Sequence, residues 1–429
     1  MRDKDDSIVI TGASLVSSLG HSPSETWDAV LSGKHGIKPI KEFDAQGFQC
    51  KVAALVEGLD HLSLSVRPRD ARIMDKHSYM LLKCTRDAFT QSRLDKSSLP
   101  GEDIGFFAGM GMVDYKVEDI IPSVMKSSDS KCNLDYNSFY SGGYQEIHPL
   151  WPLSMLNNIT FCQVAIDLNL KGENAVFSPH SDSGVQAIVE GINAIRDKKI
   201  KAVLAGGVSE KVSPLSIARA HLFKILSTSV NDGEMLCRPF ASDRNGTILG
   251  EGCGILALES RSSANKRNAL PFASVIGYGF AFESEEEFSG PTSRAISQAM
   301  QESLDSAEIN PSDIDVIIAH GDGTYIGDKN EIEAIHEVFS DCLNKVNVFS
   351  SKGALGNLLA GAAAVDVILG IYMLKSGTVP STHTSKSSDK NIKFNFINNS
   401  PLKVIPKKIM VNCQCYEGQC ASLIIEAVK

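Results

Sequence analysis

Polar and apolar positions along this chain follow two alternating rhythms. Short β-rich runs ending in glycine or a polar residue read as strands at 7–12 (SIVITG), 103–109 (DIGFFAG), 174–178 (NAVFS), 201–207 (KAVLAGG) and 254–260 (GILALES). The second half adds 273–279 (ASVIGYG), 315–321 (DVIIAHG), 346–351 (VNVFSS), 408–414 (KIMVNCQ) and 421–427 (ASLIIEA). Stretches of helical periodicity lie between them, for example SYMLLKCTRDAFTQS and TSRAISQAMQESLDSA. Strands alternating with helices predict an α/β layered fold with largely parallel sheets.

The rhythm also repeats. NAVFS leads through a small loop to the helical run SGVQAIVEGINAIRDKK and the strand KAVLAGG, and VNVFSS leads through GALGN to the helical run AGAAAVDVILGIYMLKSG. Two copies of strand, loop and buried helix predict a duplicated core whose two loops meet at one site. The halves are placed at residues 1–262 and 263–429. Segment 113–147 breaks the rhythm and reads as an insertion that runs over the surface or contacts a partner.

Composition narrows the function. Of 429 residues, 43% are hydrophobic and 22% charged, as in ordinary globular proteins, and the formal net charge of −9 comes without a Lys/Arg run. Nucleic acid is therefore not an expected partner. The N-terminus lacks an apolar signal core, and the most apolar run, LLAGAAAVDVILGIYML, is short for a span and carries Asp366. A core helix is expected there, with no membrane association. Ten scattered cysteines point to reduced thiols in a cytoplasm. Cys413, Cys415 and Cys420 cluster in sequence without a nearby histidine, so neither a metal site nor a cofactor is expected.

Three loops carry the candidate chemistry. AVFSPHSDSG places Ser181 just ahead of a helix starting near Asp182–Ser183, IIAHGDGT carries His320, and SSKGALGNLLAG carries Lys352 and Asn357. A helix dipole contributes up to about 2 kcal/mol at its N-terminus. That suffices to ionise a thiol but not a serine hydroxyl, which needs a general base beside it. His320 is the candidate base; otherwise Ser181 is a small polar residue that preserves the turn.

Six blocks in order resemble the elongating β-ketoacyl-[acyl carrier protein] synthases nearly end to end. They are IVITGASLVSSLG, VRPRDARIMDKHSYMLLKCTRDA, LAGGVSEKVSPLSIA, CRPFASDRNGTILGEGCGILALES, IIAHGDGTYIGDKNE and SSKGALGNLLAGAAAVD. The resemblance implies a thiolase-like duplicated fold of five αβαβα layers. The family's Thr-Ala-Cys-Ala/Thr-Ser/Ala-Gly loop reads PHSDSG here, which puts Ser181 at the nucleophilic cysteine. His-Gly-Thr-Gly/Ser-Thr becomes HGDGT, keeping His320 with Asp322 intruding, and the second histidine is Asn357. The glycine loop Asn-Ser-Phe-Gly-Phe-Gly-Gly becomes NCQCYEG, with Cys415 and Glu417 at two glycines and Tyr416 at the aromatic gate. A β-carbon at either position restricts the backbone's approach to a thioester. Lys352, Asp328 and Glu331 match residues that position the site by ion pairing, or else a structural salt-bridge network.

These departures resemble the chain-length-factor, or ketosynthase-β, subunits of type II polyketide systems, which pair with a cysteine-bearing ketosynthase and help set chain length. Those subunits usually carry glutamine where this chain has Ser181. The resemblance implies a heterodimer with an active synthase, an acyl carrier protein docking through Arg69 and Arg72, and an acyl tunnel approached by Trp151 and Met112. The alternatives are an acyltransferase or malonyl decarboxylase using Ser181 with His320, and a scaffold that binds a carrier protein without shaping a tunnel.

Overall fold

The computed structural model describes residues 7–428 apart from 113, 116, 229–235, 286–289 and 386. All ten expected strands form. In chain order, the main sheet contains β1 (Ile8–Ser17), β2 (Ile104–Met110), β3 (Asn174–Phe177), β4 (Ala202–Val208), β5 (Gly252–Ser260) and β6 (Ala273–Phe282). It continues with β7 (Val316–Ile318), β8 (Asn347–Phe349), the two-residue β9 (Asn395–Phe396), β10 (Lys408–Gln414) and β11 (Gln419–Ala427). They form one hydrogen-bonded sheet in the order β9-β8-β7-β10-β11-β6-β1-β5-β4-β2-β3.

The expectation of largely parallel sheets needs correction. Pairing is parallel only towards the two ends, β9 to β10 and β4 to β3; every pairing from β10 through β11, β6, β1 and β5 to β4 is antiparallel. Parallel neighbours need a crossover, usually a helix, whereas the turn 415–418 joining β10 to β11 is a hairpin.

Six longer helices complete the layers: α1 (Lys76–Gln91), α2 (Asn157–Asp167), α3 (Ser183–Arg196), α4 (Ser293–Ala307), α5 (Tyr325–Val338) and α6 (Ala362–Ser376). Their starts are written locally. Asp75 and Ser78 form a capping box at α1, Thr292 accepts from the Ala295 N–H at α4, and Thr324 accepts from the Gly327 N–H at α5.

Three hydrophobic clusters define the stacking. In the first, α3 (Val185, Ile188, Ile192) and α6 (Val365, Ile368, Leu369) pack together with side chains from β1, β4 and β5 and from β7, β10 and β11. In the second, α1 and α2 cover the outer face of the N-terminal strands (Met80, Leu81, Phe106, Phe161). In the third, α4 and α5 cover the outer face of the C-terminal strands (Met300, Ile335, Ile317, Ile424). The layers therefore run helix, sheet, helix, sheet, helix, a thiolase-like arrangement with two buried helices at its centre. Each fully buried aliphatic side chain contributes ~1.5–3 kcal/mol.

Apart from Asp366, α6 is apolar on every side up to its last turn, because that length of the helix is enclosed by the core. The run Leu359–Ser376, with mean hydropathy 1.5, is long and apolar enough to cross a membrane, yet α6 lies between the two sheet regions. Within segment 113–147 the described residues form short helices, including Ile121–Lys126 and Tyr136–Ser141, and expose Met125, Tyr136 and Tyr140 at 67–74%.

Candidate functional site

The loop before α3 and the turn after Asn357 approach closely. A β-carbon at Gly184, in the first turn of α3, would sit 2.7 Å from the Ala360 carbonyl oxygen, so only glycine permits this contact. Ser181 is buried just ahead of α3, and Asn357 is buried at the turn that leads to α6. The Asn357 side-chain oxygen accepts from the Leu359 N–H at 3.0 Å, and its backbone N–H donates to the Ile248 carbonyl at 2.7 Å. The Asn357 carboxamide thus organises its own turn.

His320 follows β7 and is held through its backbone. Glu331 on α5 accepts from the His320 N–H at 2.9 Å and the Gly321 N–H at 2.8 Å, and it also accepts from Asn412 Nδ2 at 3.2 Å. Gly321 takes φ +41°, and Gly323 takes φ +81°, which keeps this loop tight. Burial, reinforced by the nearby Lys352 ammonium, lowers the His320 pKa well below its usual value, so the imidazole is neutral at pH 7. Its Nδ1 finds no hydrogen-bond partner among the described residues, and its Nε2 lies 3.8 Å from the Asp322 carboxylate.

Lys352 is 1% exposed, and its ammonium donates to Asp366 at 2.5 Å, while Ser351 Oγ donates to the other Asp366 oxygen at 2.6 Å. Burial opposes the Lys352 charge, but Asp366, Cys413 and Glu331 together raise its pKa above the ordinary lysine value. Asp366 was readable in sequence only as a charge inside an apolar run. Of the two acidic residues grouped with Lys352 as positioning the site, Glu331 accepts backbone N–H groups, and Asp328 accepts from the Phe240 and Gly323 N–H groups with Arg244 3.8 Å away.

The last loop lies against Ser181. The Cys415 thiol lies beside the Ser181 backbone, and burial pushes its pKa far up, so the group is a neutral thiol. Glu417 meets His180, the residue just before Ser181, Nε2 to carboxylate at 2.6 Å. Sequence reasoning named neither residue's partner; the signal was the loss of two glycines at 415 and 417. Tyr416 turns inward, stacked on Phe223 with ring centroids 4.6 Å apart and edge-on to His180 at 5.8 Å. Asp182 accepts from Gln186 Nε2 at 2.5 Å. Among the described residues no hydrogen bond joins the Ser181 hydroxyl to an imidazole.

The remaining candidates lie elsewhere. Met112 is 38% exposed, and Trp151 opens the short helix Trp151–Ser154, edge-on to Tyr115 at 5.8 Å. Arg69 and Arg72 are exposed at the short helix Pro68–Ala71.

Family comparison agrees with this geometry. Residues 5–264 match the β-ketoacyl synthase N-terminal domain, and residues 272–386 match the C-terminal domain. The chain belongs to the β-ketoacyl synthase family. Over 422 residues it is 28% identical to the 3-oxoacyl-[acyl-carrier-protein] synthase 2 of Coxiella burnetii, covering 98% of each chain. Among solved structures, the ishigamide ketosynthase/chain length factor superposes with TM-score 0.86 at 24% identity, covering 99% of this chain and 100% of that one. A type II polyketide ketosynthase, solved in complex with its acyl-carrier protein and bound to the hexaketide, matches at TM-score 0.82 and 22% identity, covering 99% of this chain and 100% of that one. At these identities the two structures speak to the fold, which they share with this family member.

Proposed function

We propose that this β-ketoacyl synthase family chain is a chain-length-factor-type subunit. In this reading it pairs with a cysteine-bearing ketosynthase of a type II polyketide or related system, helps shape the acyl tunnel and performs no condensation of its own. One observation carries the reading: the position of the nucleophile holds Ser181 without a base hydrogen-bonded to it among the described residues, and next to it His180, Cys415 and Glu417 stand where the family pattern has alanine and two glycines. A helix N-terminus cannot ionise a hydroxyl unaided. Segment 113–147 exposes the large side chains of Met125, Tyr136 and Tyr140, which suits the partner-facing role proposed for it. Arg69 and Arg72 are the candidate contacts for an acidic acyl carrier protein. The ten cysteines, none in a disulfide, suit a reducing cytoplasm.

The neutral His320 favours a second reading, in which it serves as base to Ser181 in acyl transfer or malonyl decarboxylation. One experiment separates the two. The chain is incubated with acyl- and malonyl-carrier donors and its intact mass is measured, alone and after co-expression with a cysteine-bearing ketosynthase. The partner reading expects a stable heterodimer and no adduct on this chain; a stoichiometric adduct lost in Ser181→Ala overturns it. In the reconstituted heterodimer, Trp151→Ala is expected to shift products to longer chains. Unchanged length in an intact, active pair would make Trp151 a packing residue.

A further inference from the structure

Three side chains that replace smaller residues of the family pattern converge at one point. His180 stands where the pattern has alanine, and Cys415 and Glu417 stand where it has glycine. The His180 imidazole nitrogen, the Cys415 sulfur and a Glu417 carboxylate oxygen all lie within 4.8 Å of one another, and among the described residues this is the one group of three or more such ligands. We propose that His180, Cys415 and Glu417 bind a borderline-soft divalent cation of the zinc type, with a fourth position left for water or an incoming ligand. The donor set suits that ion: one imidazole, one thiolate and one carboxylate, in the three-plus-one pattern of open zinc sites.

Bond lengths of about 2.0–2.3 Å around a tetrahedral ion set ligand atoms about 3.4 Å apart. To reach that spacing the 2.6 Å contact between His180 and Glu417 opens by about 0.8 Å, and the Cys415 sulfur, within 4.8 Å of both, moves in by at most about 1.4 Å. Binding exchanges the Cys415 S–H bond for a sulfur–metal bond, and the displaced proton leaves to solvent. Cysteinate and carboxylate then neutralise the dication. His180 Nδ1 finds no hydrogen-bond partner among the described residues, so the ring lacks the supporting acceptor of tight zinc sites and the affinity sits below theirs. The bound ion would tie the loop of Ser181 to the last loop. This inference stands whether or not the partner reading holds.

The test uses the purified full-length chain, stripped with a chelator and titrated with Zn²⁺ and with Co²⁺. The expected result is one ion per chain and a thiolate-to-cobalt charge-transfer band. His180→Ala and Glu417→Gly should each weaken binding by on the order of tenfold or more, and Cys415→Gly should abolish the band. A control variant carrying Cys132→Ser and Cys162→Ser, the two exposed thiols, should bind as the parent does. Circular dichroism checks that each variant is folded, and His180→Ala, at a partly exposed position, keeps the test decisive if a glycine variant misfolds. Absence of saturable binding, a band that survives Cys415→Gly, or undiminished affinity in folded His180→Ala overturns the proposal.

Discussion

The two walls of the candidate site are built on different principles. The wall of His320, Glu331, Lys352 and Asp366 is dry, and its charges are matched: Lys352 meets Asp366, and Glu331 meets backbone N–H groups. The other wall, of His180, Ser181, Cys415 and Glu417, buries Ser181 and Cys415 but leaves His180 and Glu417 partly open, at 16% and 34% side-chain exposure. A buried network of matched charges resists change because losing one member leaves another uncompensated. A half-exposed pair tolerates change, so the chemistry of this fold can drift on one wall while the other remains fixed.

The largest effect tests the dry wall. Asp366→Ala leaves the Lys352 ammonium buried and unpaired, and the expected loss is ~3–5 kcal/mol in urea unfolding. The double variant Lys352→Met with Asp366→Leu should recover most of it, because well-packed apolar pairs replace buried ion pairs at little cost. A single-variant loss below about 1 kcal/mol would erase the distinction between the walls.

A smaller effect is set by His320. Its folded pKa lies below the unfolded value, so on acidification the unfolded chain takes up a proton that the folded chain refuses. Stability therefore falls as pH drops below about 6.5, by up to about 1.4 kcal/mol per pH unit from this group. His320→Asn should reduce the slope of unfolding free energy against pH by that amount between pH values of about 6.5 and 5. An unchanged slope would mean that the ring is already protonated in the fold.

The smallest effect belongs to the open wall. In chelator-treated protein, Glu417→Gly removes a partly exposed pair and should cost under about 1 kcal/mol after solvent screening. Ser181→Cys alone should leave the chain without condensing activity, because Cys415 and Glu417 still replace the two glycines of the last loop. Activity from the single variant, measured with acyl- and malonyl-carrier donors, would show that the open wall does not block the site.

Much of the fold was legible because its signals are local. The ten strands are apolar runs with turn residues at their ends, and α1, α4 and α5 announce their starts with Asp75, Thr292 and Thr324. Pairing direction was not legible, since apolar periodicity does not distinguish a parallel neighbour from an antiparallel one. At the site, Ser181, His320 and Asn357 could be named from their loops, and the contact between Gly184 and Ala360 brings two of those loops together. Partners were harder to read. Lys352, Asp328 and Glu331 were named as site-positioning ion-pair residues without naming Asp366, which is the carboxylate Lys352 meets, and the His180–Glu417 contact joins positions that nothing local connects.

The position of β11 has a consequence for how the chain is made. It is the last strand in chain order, yet it lies in the interior of the sheet, hydrogen-bonded to β10 on one side and β6 on the other. As the polypeptide leaves the ribosome, β1 through β6 can assemble with the strands that flank them, while β7, β8 and β10 have no strand joining them to that block. The seam closes only when residues 419–427 emerge, so the edges of β6 and β10 stay open until then. Removing these nine residues should leave a chain whose two halves form separately and associate through exposed strand edges.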